Sequence, residues 1–295
     1  MKNLRKILPY LGLVIFMIGC KSVSVKKDLN DDINKLIEDK KLDIGVSVRD
    51  HSENEIVTIN NEKKYQLYSV SKYFLGVYIL HLVDEGKLNL DQKVTFSKEE
   101  LRPNLYSPLR DSIPQGTTLS LKESVKYLIK KSDDNVFDKL ADVSGGLGGL
   151  NSFICKLEPC KDNFVIKSLY RDPDGTIGYN VITPSMASNI LNKVNNKKIL
   201  SDKTFTLLQE YMATSTNSKR IQGIIGAKTK SFHRSGTSYR INGVRTVTND
   251  IGIVNLKNGK SFSIAVLISD SREDDATNDY LIAKITDIVY NKLNY

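Results

Sequence analysis

Residues 68–82 read YSVSKYFLGVYILHL, and their apolar side chains cover nearly every side of a helix. A helix that is apolar all round belongs in a protein core, so this stretch predicts the central helix of the fold. At its start, Ser69 and Lys72 are three residues apart, a spacing that places two side chains on the same face of a helix. Because a serine hydroxyl needs an adjacent base to attack at neutral pH, we interpret the pair as a candidate nucleophile and its proton acceptor. Burial would favour the neutral lysine, which is the form that accepts a proton.

The spacing of this serine and lysine is a weak signal when taken alone. Ser24 and Lys27 show the same spacing in a polar stretch, where a solvated helical turn is the simpler interpretation. What favours Ser69 is the apolar helix that follows it, together with two polar elements further along the chain. These elements are residues 132–134 and residues 234–237.

The composition is that of a globular protein and argues against two classes of function. The chain has 295 residues, enough to bury a large core, and its 43 Lys and Arg against 34 Asp and Glu give a formal charge of +9. The basic residues are spread along the chain rather than clustered with aromatic residues, so no nucleic-acid partner is predicted. We predict no metal and no other cofactor, and we expect a monomer. The three histidines have no metal-binding spacing: His51, His81 and His233.

The N-terminus has the features of a secretory signal. Basic residues precede an apolar run at residues 7–18, which is too short to span a bilayer comfortably. Residues 17–20, Met-Ile-Gly-Cys, resemble a bacterial lipobox, in which the cysteine becomes the lipidated first residue of the mature protein. We therefore predict a signal peptide at residues 1–19, lipidation of Cys20, and a polar tether at residues 20–28 that holds the protein at the periplasmic face of a membrane. An ordinary signal cut nearby, which would release the protein into the periplasm, and an uncleaved anchor are the alternatives.

Two further cysteines, Cys155 and Cys160, are five residues apart. Export would place them in an oxidising compartment, where such a pair can form a disulfide bond. Two free thiols at this spacing are an equally open alternative.

Hydrophobic periodicity predicts an α+β fold with two lobes. Strands near both chain ends would form one five-stranded antiparallel sheet: 44–49, 55–60, 229–233, 246–255 and 261–269. Besides the central helix, helices are predicted at residues 31–41, 120–131, 136–143, 150–157, 184–194, 201–211 and 274–293. Two prolines predict an irregular segment at residues 102–111. We assign residues 29–66 and 212–295 to a sheet lobe and residues 67–211 to an inserted all-helical lobe of one domain, 29–295, with the active site in the cleft between them.

The two polar elements supply what Ser69 and Lys72 lack. Residues 132–134, Ser-Asp-Asp, lie at a turn between helices, and residues 234–237, Arg-Ser-Gly-Thr, lie on a strand. Opening an amide through an acyl-serine needs a nucleophile, a proton path to the leaving nitrogen, a cation for a substrate carboxylate, and donors for the oxyanion. In this scheme Ser69 attacks, Lys72 manages its proton, and Ser132 hands a proton to the nitrogen.

The strand element would bind the substrate. Arg234, Ser235 and Thr237 would hold the carboxylate. The backbone amides of Ser69 and Thr237 would form the oxyanion hole. Gly236 would let the strand approach the substrate closely.

These three motifs, in this order, resemble the signatures of class A β-lactamases and of the related penicillin-binding proteins. The stretches at residues 106–111 and 249–254 resemble a branch of class A enzymes from Bacteroidetes-type bacteria. The resemblance covers essentially everything after the tether. It implies the fold of that family, a serine β-lactamase that hydrolyses the amide of a small-molecule β-lactam through an acyl-enzyme, and a role for Tyr106 and Asp134 in binding this substrate.

Two substitutions within the motifs depart from the family pattern. Arg234 and Ser235 replace the usual Lys-Thr, which keeps the positive charge and offers a planar fork to a carboxylate. Asp134 replaces the usual Asn, and an ionised Asp only accepts hydrogen bonds and would favour the charged form of Lys72. A local bulge that brings Asn135 into this role is the alternative.

The loop before Pro184 departs most from the family pattern. Class A enzymes carry there a glutamate that activates the water for release of the acyl-enzyme, and residues 168–175 contain none. Asp172 is a candidate for this base, although counting back from Pro184 favours residues 168–170, and Asp172 could equally cap a loop turn. The missing glutamate and Asp134 leave a second function open, a penicillin-binding protein-like acyl acceptor that acts as a sensor or weak peptidase with slow deacylation. A binding lipoprotein that forms no adduct is a third.

Overall fold

The computed structural model describes residues 25–170, 180–213 and 219–294. Within these ranges the chain forms eleven strands: β1 (Asp43–Arg49), β2 (Glu55–Ile59), β3 (Tyr65–Gln66), β4 (Lys93–Ser97), β5 (Gly116–Ser120), β6 (Phe164–Val165), β7 (Val181–Ile182), β8 (Ser231–Thr237), β9 (Arg240–Ile241), β10 (Val244–Asn255) and β11 (Ser261–Ser271). It also forms ten α-helices: α1 (25–37), α2 (Ser71–Asp84), α3 (Pro108–Ser112), α4 (Leu121–Lys130), α5 (Asp134–Val143), α6 (Leu147–Leu157), α7 (Pro184–Asn195), α8 (Asp202–Ala213), α9 (Ile221–Ile225) and α10 (Asp275–Leu293).

One antiparallel sheet is built from both ends of the chain. Its strand order is β2-β1-β11-β10-β8, and the short strand β9 pairs with one end of β10. The two chain ends meet where β1 pairs with β11, with Val46 opposite Val266. The predicted α+β fold with five antiparallel strands is confirmed, and β9 is an addition that the sequence did not indicate.

Each face of the sheet covers its own hydrophobic core, because side chains alternate between the two faces of a strand. On β11, Ile264, Val266 and Ile268 pack into one core with residues of α1, α9 and α10. The intervening Ala265 and Leu267 pack into a second core with α2 and the helices around it. Strand β8 forms one edge of the sheet, and this edge lies beside the N-terminal end of α2.

Helix α2 runs through the middle of the second core, as its sequence predicts. Every residue from Ser71 to Leu80 is buried except Tyr78, which is partly exposed. The approach of α4 is close: a Cβ on Gly76 would lie 2.6 Å from Ile129 Cδ1. Packing on all sides makes α2 a fixed support for the residues at its N-terminal end.

The prediction of an all-helical inserted lobe is wrong in part. The region between the two halves of the sheet also contains the hairpin β4-β5 and a small sheet in the order β3-β7-β6. None of the five residues of β5 is buried, so the apolar alternation that reveals a strand is absent from its sequence. The strands β3, β6 and β7 have two residues each, which is too short to show any period.

Two helices differ from the sequence-based expectation. Helix α3 occupies the end of the segment 102–111, where Pro108 stands in the first turn and the Ser107 side chain caps it. Helix α1 includes residues 25–28, which the sequence assigned to the tether, and Val25 packs against the core that α1 shares with the sheet. The folded domain thus includes residues that composition alone suggested were a linker.

The covalent and membrane predictions have different outcomes. Cys155 and Cys160 form a disulfide bond, so the alternative of two free thiols is wrong. The predicted signal peptide and Cys20 lie outside the described residues. In the part of the chain that the structure describes, no helix has both the length and the apolar character needed to cross a bilayer.

Candidate active site

An open cavity of about 580 Å³ lies between strand β8 and the helical lobe, at the N-terminal end of α2. Lys72 is completely buried next to it. Eight of the residues predicted from the sequence contribute to its lining: Ser69, Tyr106, Ser132, Asp134, Arg234, Ser235, Gly236 and Thr237. The fold therefore brings together three motifs that are far apart in the chain.

Ser69 lies on a 3-10 turn, Tyr68–Val70, immediately before α2. Leu67, which precedes the turn, is anchored because its N–H donates to Asn180 O at 2.7 Å. Strand β8 passes close by: a Cβ on Gly236 would lie 2.9 Å from Leu67 O and 3.3 Å from Ser69 N. The glycine makes room for the turn that carries Ser69, and the expectation that it also lets the strand approach the substrate stays a prediction.

Hydrogen bonds converge on the Ser69 hydroxyl from both sides. Lys72 Nζ lies 3.2 Å from Ser69 Oγ, and Ser132 Oγ lies 3.0 Å from it. Arg234 Nη2 donates to Ser132 Oγ at 2.5 Å, and a guanidinium group has no acceptor. Ser132 therefore accepts from Arg234 and directs its own proton to Ser69. On the other side, Lys72 Nζ also donates to Asp134 Oδ1 at 2.6 Å.

The turn that presents Ser132 is held by a buried carboxylate. Ser132 has a φ of 60°, in the left-handed region, which costs a non-glycine residue about 1–2 kcal/mol. Asp133 accepts from Val136 N at 3.0 Å, from Ser107 Oγ at 2.9 Å and from Leu109 N at 2.8 Å. Burial raises the pKa of Asp133, although these donors oppose the shift. The role of Asp133 is to fix the conformation of the turn, not to face the cavity.

Asp134, and not Asn135, is the third motif residue in the cavity. Asp134 N donates to Tyr106 O at 2.9 Å, and its carboxylate contacts Lys72. The Asn135 side chain instead accepts from Arg102 N at 3.1 Å and donates to Arg102 O at 3.3 Å. The alternative of a bulge that brings Asn135 into the site is therefore wrong.

Lys72 is held in its charged form in spite of complete burial. Burial alone would lower the pKa of the amine, but the neighbouring Asp134 carboxylate and Tyr170 outweigh it and raise the pKa above its ordinary value. The centroid of the Tyr170 ring lies 3.9 Å from Lys72 Nζ, a position that favours a cation. The expectation of a neutral lysine is wrong for the substrate-free protein. The expectation that Asp134 favours the charged form is confirmed.

Two guanidinium groups shape the strand side of the cavity. Burial lowers the pKa of Arg234 to about 10, which leaves it charged at neutral pH, and its Nη1 donates to Ser235 O at 3.1 Å. Arg220 is a residue that the sequence did not single out. It donates to Thr237 Oγ1 at 2.8 Å and to Gly236 O at 3.1 Å, and so supports the wall of the cavity from behind. No motif surrounds Arg220, so only the tertiary structure reveals it.

The loop before α7 reaches Lys72 through Tyr170, which lines the cavity. The Tyr170 N–H donates to Asp138 Oδ1 at 2.7 Å, and the ring packs edge-on against Phe137 with centroids 5.1 Å apart. The described part of this loop thus places an aromatic ring, rather than a carboxylate, beside Lys72. Asp172, the candidate deacylation base, lies outside the described residues.

Aromatic side chains surround the mouth of the cavity. Tyr106 is 55% exposed and Tyr239 is 86% exposed, and both line it. Tyr68 and Arg245 complete this part of the lining. Of these four, the sequence analysis gave a binding role only to Tyr106; Tyr68 directly precedes Ser69 in the chain, whereas Tyr239 and Arg245 reach the cavity only through the fold.

Known proteins with the same sequence pattern and fold were identified by comparison. The sequence matches the family model described as the β-lactamase enzyme family over residues 28–293. It is 29% identical to the β-lactamase VEB-1 of Pseudomonas aeruginosa, over 99% of this chain and 98% of the relative. It is 30% identical to a β-lactamase of Bacteroides uniformis, over 96% of this chain and 99% of the relative. A class A β-lactamase of Bacteroides cellulosilyticus has a similar structure, with a TM-score of 0.85, 32% identity and coverage of 91% of this chain and 98% of that one. The predicted resemblance is confirmed.

Proposed function

The chain belongs to the β-lactamase enzyme family, and on this premise we propose that it is a serine hydrolase that opens the amide of β-lactams through an ester with Ser69. One observation carries the proposal: Lys72 Nζ and Ser132 Oγ lie 3.2 and 3.0 Å from Ser69 Oγ. A hydroxyl between an amine and a second hydroxyl has a partner for the proton it loses and a route for a proton to the leaving group. Ser69 also lines an open cavity, which gives a substrate access to it.

Acylation begins with attack of Ser69 Oγ on the amide carbonyl of the lactam. Lys72 takes the Ser69 proton in its neutral form, so acylation first requires loss of the proton that the hydrogen bond of 2.6 Å to Asp134 stabilises on the amine. Ser132 then donates a proton to the leaving nitrogen, because the bond that it accepts from Arg234 leaves its own hydrogen for this transfer. The amide C–N bond breaks and an ester on Ser69 remains, while Lys72 passes the proton that it took from Ser69 on to Ser132 and so restores the Ser132 hydroxyl.

The strand side would bind and polarise the substrate. Arg234, Ser235 and Thr237 line one wall of the cavity and supply a charge and two hydroxyl donors for the substrate carboxylate. The backbone amides of Ser69 and Thr237 would stabilise the oxyanion that forms on the carbonyl. Tyr106, exposed at the mouth, would pack against the substrate side chain.

The experiment is turnover of a chromogenic cephalosporin by the purified protein, combined with its intact mass after exposure to benzylpenicillin. We expect steady turnover by the wild type, and complete loss of turnover and of the covalent adduct in Ser69→Ala. Ser52→Ala, at an exposed hairpin turn, is the matched control and should behave as the wild type. A wild type that neither turns over the cephalosporin nor gains the mass of penicillin would refute the proposal.

A second candidate function is a penicillin-binding protein-like acyl acceptor with slow deacylation. It is favoured by the Tyr170 ring, which lies 3.9 Å from Lys72 Nζ where the described loop offers no carboxylate. In that case the same experiment would give one equivalent of product in a burst, followed by a long-lived adduct. Steady turnover beyond the burst would exclude it.

We also propose that the protein is exported and tethered by a lipid on Cys20, and that it acts as a monomer. The basic and apolar regions of residues 1–19 support export, and the Met-Ile-Gly-Cys sequence supports lipidation. Cys20→Ser should move the protein from the membrane to the soluble fraction, and size-exclusion chromatography should give the mass of one chain. A wild type with an unmodified thiol at Cys20 would contradict the lipid anchor.

A further inference from the structure

Asp134 is the only carboxylate among the described residues that line the cavity. Its side chain is 13% exposed, and Oδ1 accepts a hydrogen bond from Lys72 Nζ at 2.6 Å. Within the described part of the chain, Lys72 is the only hydrogen-bond partner of this carboxylate. One carboxylate oxygen is therefore free to accept a hydrogen bond from a molecule in the cavity.

Asp134 is close enough to act on a water molecule at the Ser69 ester. Asp134 Oδ1 and Ser69 Oγ both contact Lys72 Nζ, at 2.6 and 3.2 Å. The two oxygens are therefore no farther apart than these two distances combined. A separation of this size is spanned by one water molecule with a hydrogen bond of about 2.6–3.2 Å to a base.

The opposite side of Lys72 offers no alternative base in the described structure. The Tyr170 ring covers the amine there, and it is fixed by the edge-on contact with Phe137 and by the bond from Tyr170 N to Asp138 Oδ1. Asp138 is thus engaged with the backbone of Tyr170 and does not line the cavity. A water that attacks the ester is better placed to reach a base on the Asp134 side.

We propose that Asp134 is the base of the second half-reaction, which takes a proton from the water that attacks the acyl ester on Ser69. This inference rests on the proposed function. The water oxygen forms a bond to the ester carbonyl carbon while one water proton moves to the Asp134 carboxylate and the carbonyl electron pair moves to the oxyanion. When the carbonyl re-forms, the bond between this carbon and Ser69 Oγ breaks, and Oγ takes a proton from Lys72. Asp134 then returns its proton to Lys72, so that the free acid leaves and the ion pair is restored.

The proposal explains why a carboxylate stands where an amide is usual in the resembling enzymes. An amide at this position donates a hydrogen bond, but it does not take up a proton near neutral pH. A carboxylate that is hydrogen-bonded to Lys72 can take up one proton and pass it on to the amine. Asp134 is therefore a catalytic residue in this scheme, because it contacts the attacking water.

The test measures formation of the ester and its release separately. The protein is acylated with benzylpenicillin, free substrate is removed, and intact-protein mass spectrometry follows the return to the unmodified mass. Asp134→Asn keeps the shape of the side chain but removes the base, so the adduct should form and its release should slow by about 100-fold or more. Asp142→Asn makes the same change at an exposed position of α5, and its adduct should be released at the wild-type rate.

A stronger nucleophile distinguishes a missing base from a distorted site. Hydroxylamine attacks an ester without needing a base, so it should restore release in Asp134→Asn, and a failure to do so would overturn the assignment. Release of the acyl ester by Asp134→Asn at the wild-type rate would also overturn the assignment. So would an ester that persists in Asp172→Asn while Asp134→Asn releases it normally. Asp134→Ser serves as the second variant if thermal unfolding shows that Asp134→Asn does not fold. All of these results leave the proposed function intact, whereas a wild type that forms no adduct would refute the function itself.

Discussion

The two sides of the cavity differ in whether their buried cation is paired with a carboxylate. On the helical side, Lys72 forms an ion pair with Asp134 at 2.6 Å. On the strand side, the described hydrogen bonds of Arg234 go to Ser132 Oγ and Ser235 O, neither of which carries a charge. Both cations are buried, yet among the described residues only Lys72 has a carboxylate in contact.

This difference indicates which side reacts and which side binds. A buried cation without an anion in contact is unfavourable, and burial accordingly lowers the pKa of Arg234 to about 10. A substrate carboxylate would supply the missing partner, so the strand side is suited to binding. The charge of Lys72 is already balanced by Asp134, which leaves it suited to exchanging protons rather than to attracting an anion.

Lys72→Arg should have the largest effect, because it removes the proton acceptor on the helical side of the cavity while keeping the positive charge. A guanidinium still pairs with Asp134, but it does not release a proton near neutral pH. We expect acylation to slow by about 10²- to 10⁴-fold, with little change in the affinity for substrate. Single-turnover kinetics over a range of substrate concentrations separates the two quantities. A comparable loss of affinity would mean that Lys72 also binds substrate, against the proposed division.

Arg234→Ala should have the next largest effect, because it removes the cation on the strand side that would bind the substrate carboxylate. Hydrogen bonds to a charged group contribute about 1.5–3 kcal/mol, which corresponds to a loss of about 10- to 100-fold in kcat/KM. The loss should be confined to substrates with a free carboxylate, so the methyl ester of the same β-lactam is the control. Arg234→Lys should recover part of the activity. An equal loss for the acid and the ester would show that Arg234 acts through Ser132 instead.

Asp134→Asn tests the electrostatic difference directly, because it removes the carboxylate that pairs with Lys72 and leaves the strand side unchanged. Acylation requires the neutral amine, so its rate rises with pH through the pKa of Lys72, which Asp134 holds above the ordinary value. Without this carboxylate, burial remains as the main influence and lowers the pKa. The acidic limb of the acylation profile should therefore move to lower pH. The profile for release of the ester is measured separately, and an unchanged acylation limb would contradict the electrostatic argument.

The sequence revealed the parts of the site that are encoded locally. The apolar stretch after Ser69, the turn at residues 132–134 and the strand at residues 234–237 each have their own pattern, and the fold places them around one cavity. The sequence indicated two opposing influences on the charge of Lys72, burial and Asp134, but not which of them prevails. The outcome also depends on Tyr170, which raises the pKa of the amine, and on Arg234, which lowers it, and only the packed structure brings these two residues close to Lys72.

Two stretches that resembled a family branch have a physical explanation in the structure. Ser107 Oγ donates to the Asp133 carboxylate, which fixes the turn of Ser132. The Asn249 side chain donates to Gln66 O at 2.7 Å, and so ties β10 to the chain just before the turn of Ser69. Both contacts join segments that are distant in sequence, so a motif can indicate these residues but cannot say what they hold. Arg220 and strand β5 lacked even a motif, and the sequence missed them.

Tyr170→Leu should give the smallest effect, and it tests whether the ring or the carboxylate keeps Lys72 charged. A ring over a cation contributes about 0.5–2 kcal/mol. The acidic limb of acylation should therefore move to lower pH, in the same direction as in Asp134→Asn but by a smaller amount. Tyr170→Phe keeps the ring and loses only the hydroxyl, whose contact with Ser71 Oγ is 3.4 Å, so its profile should match the wild type. A larger shift in Tyr170→Leu than in Asp134→Asn would mean that the aromatic ring, not the ion pair, controls the reacting side.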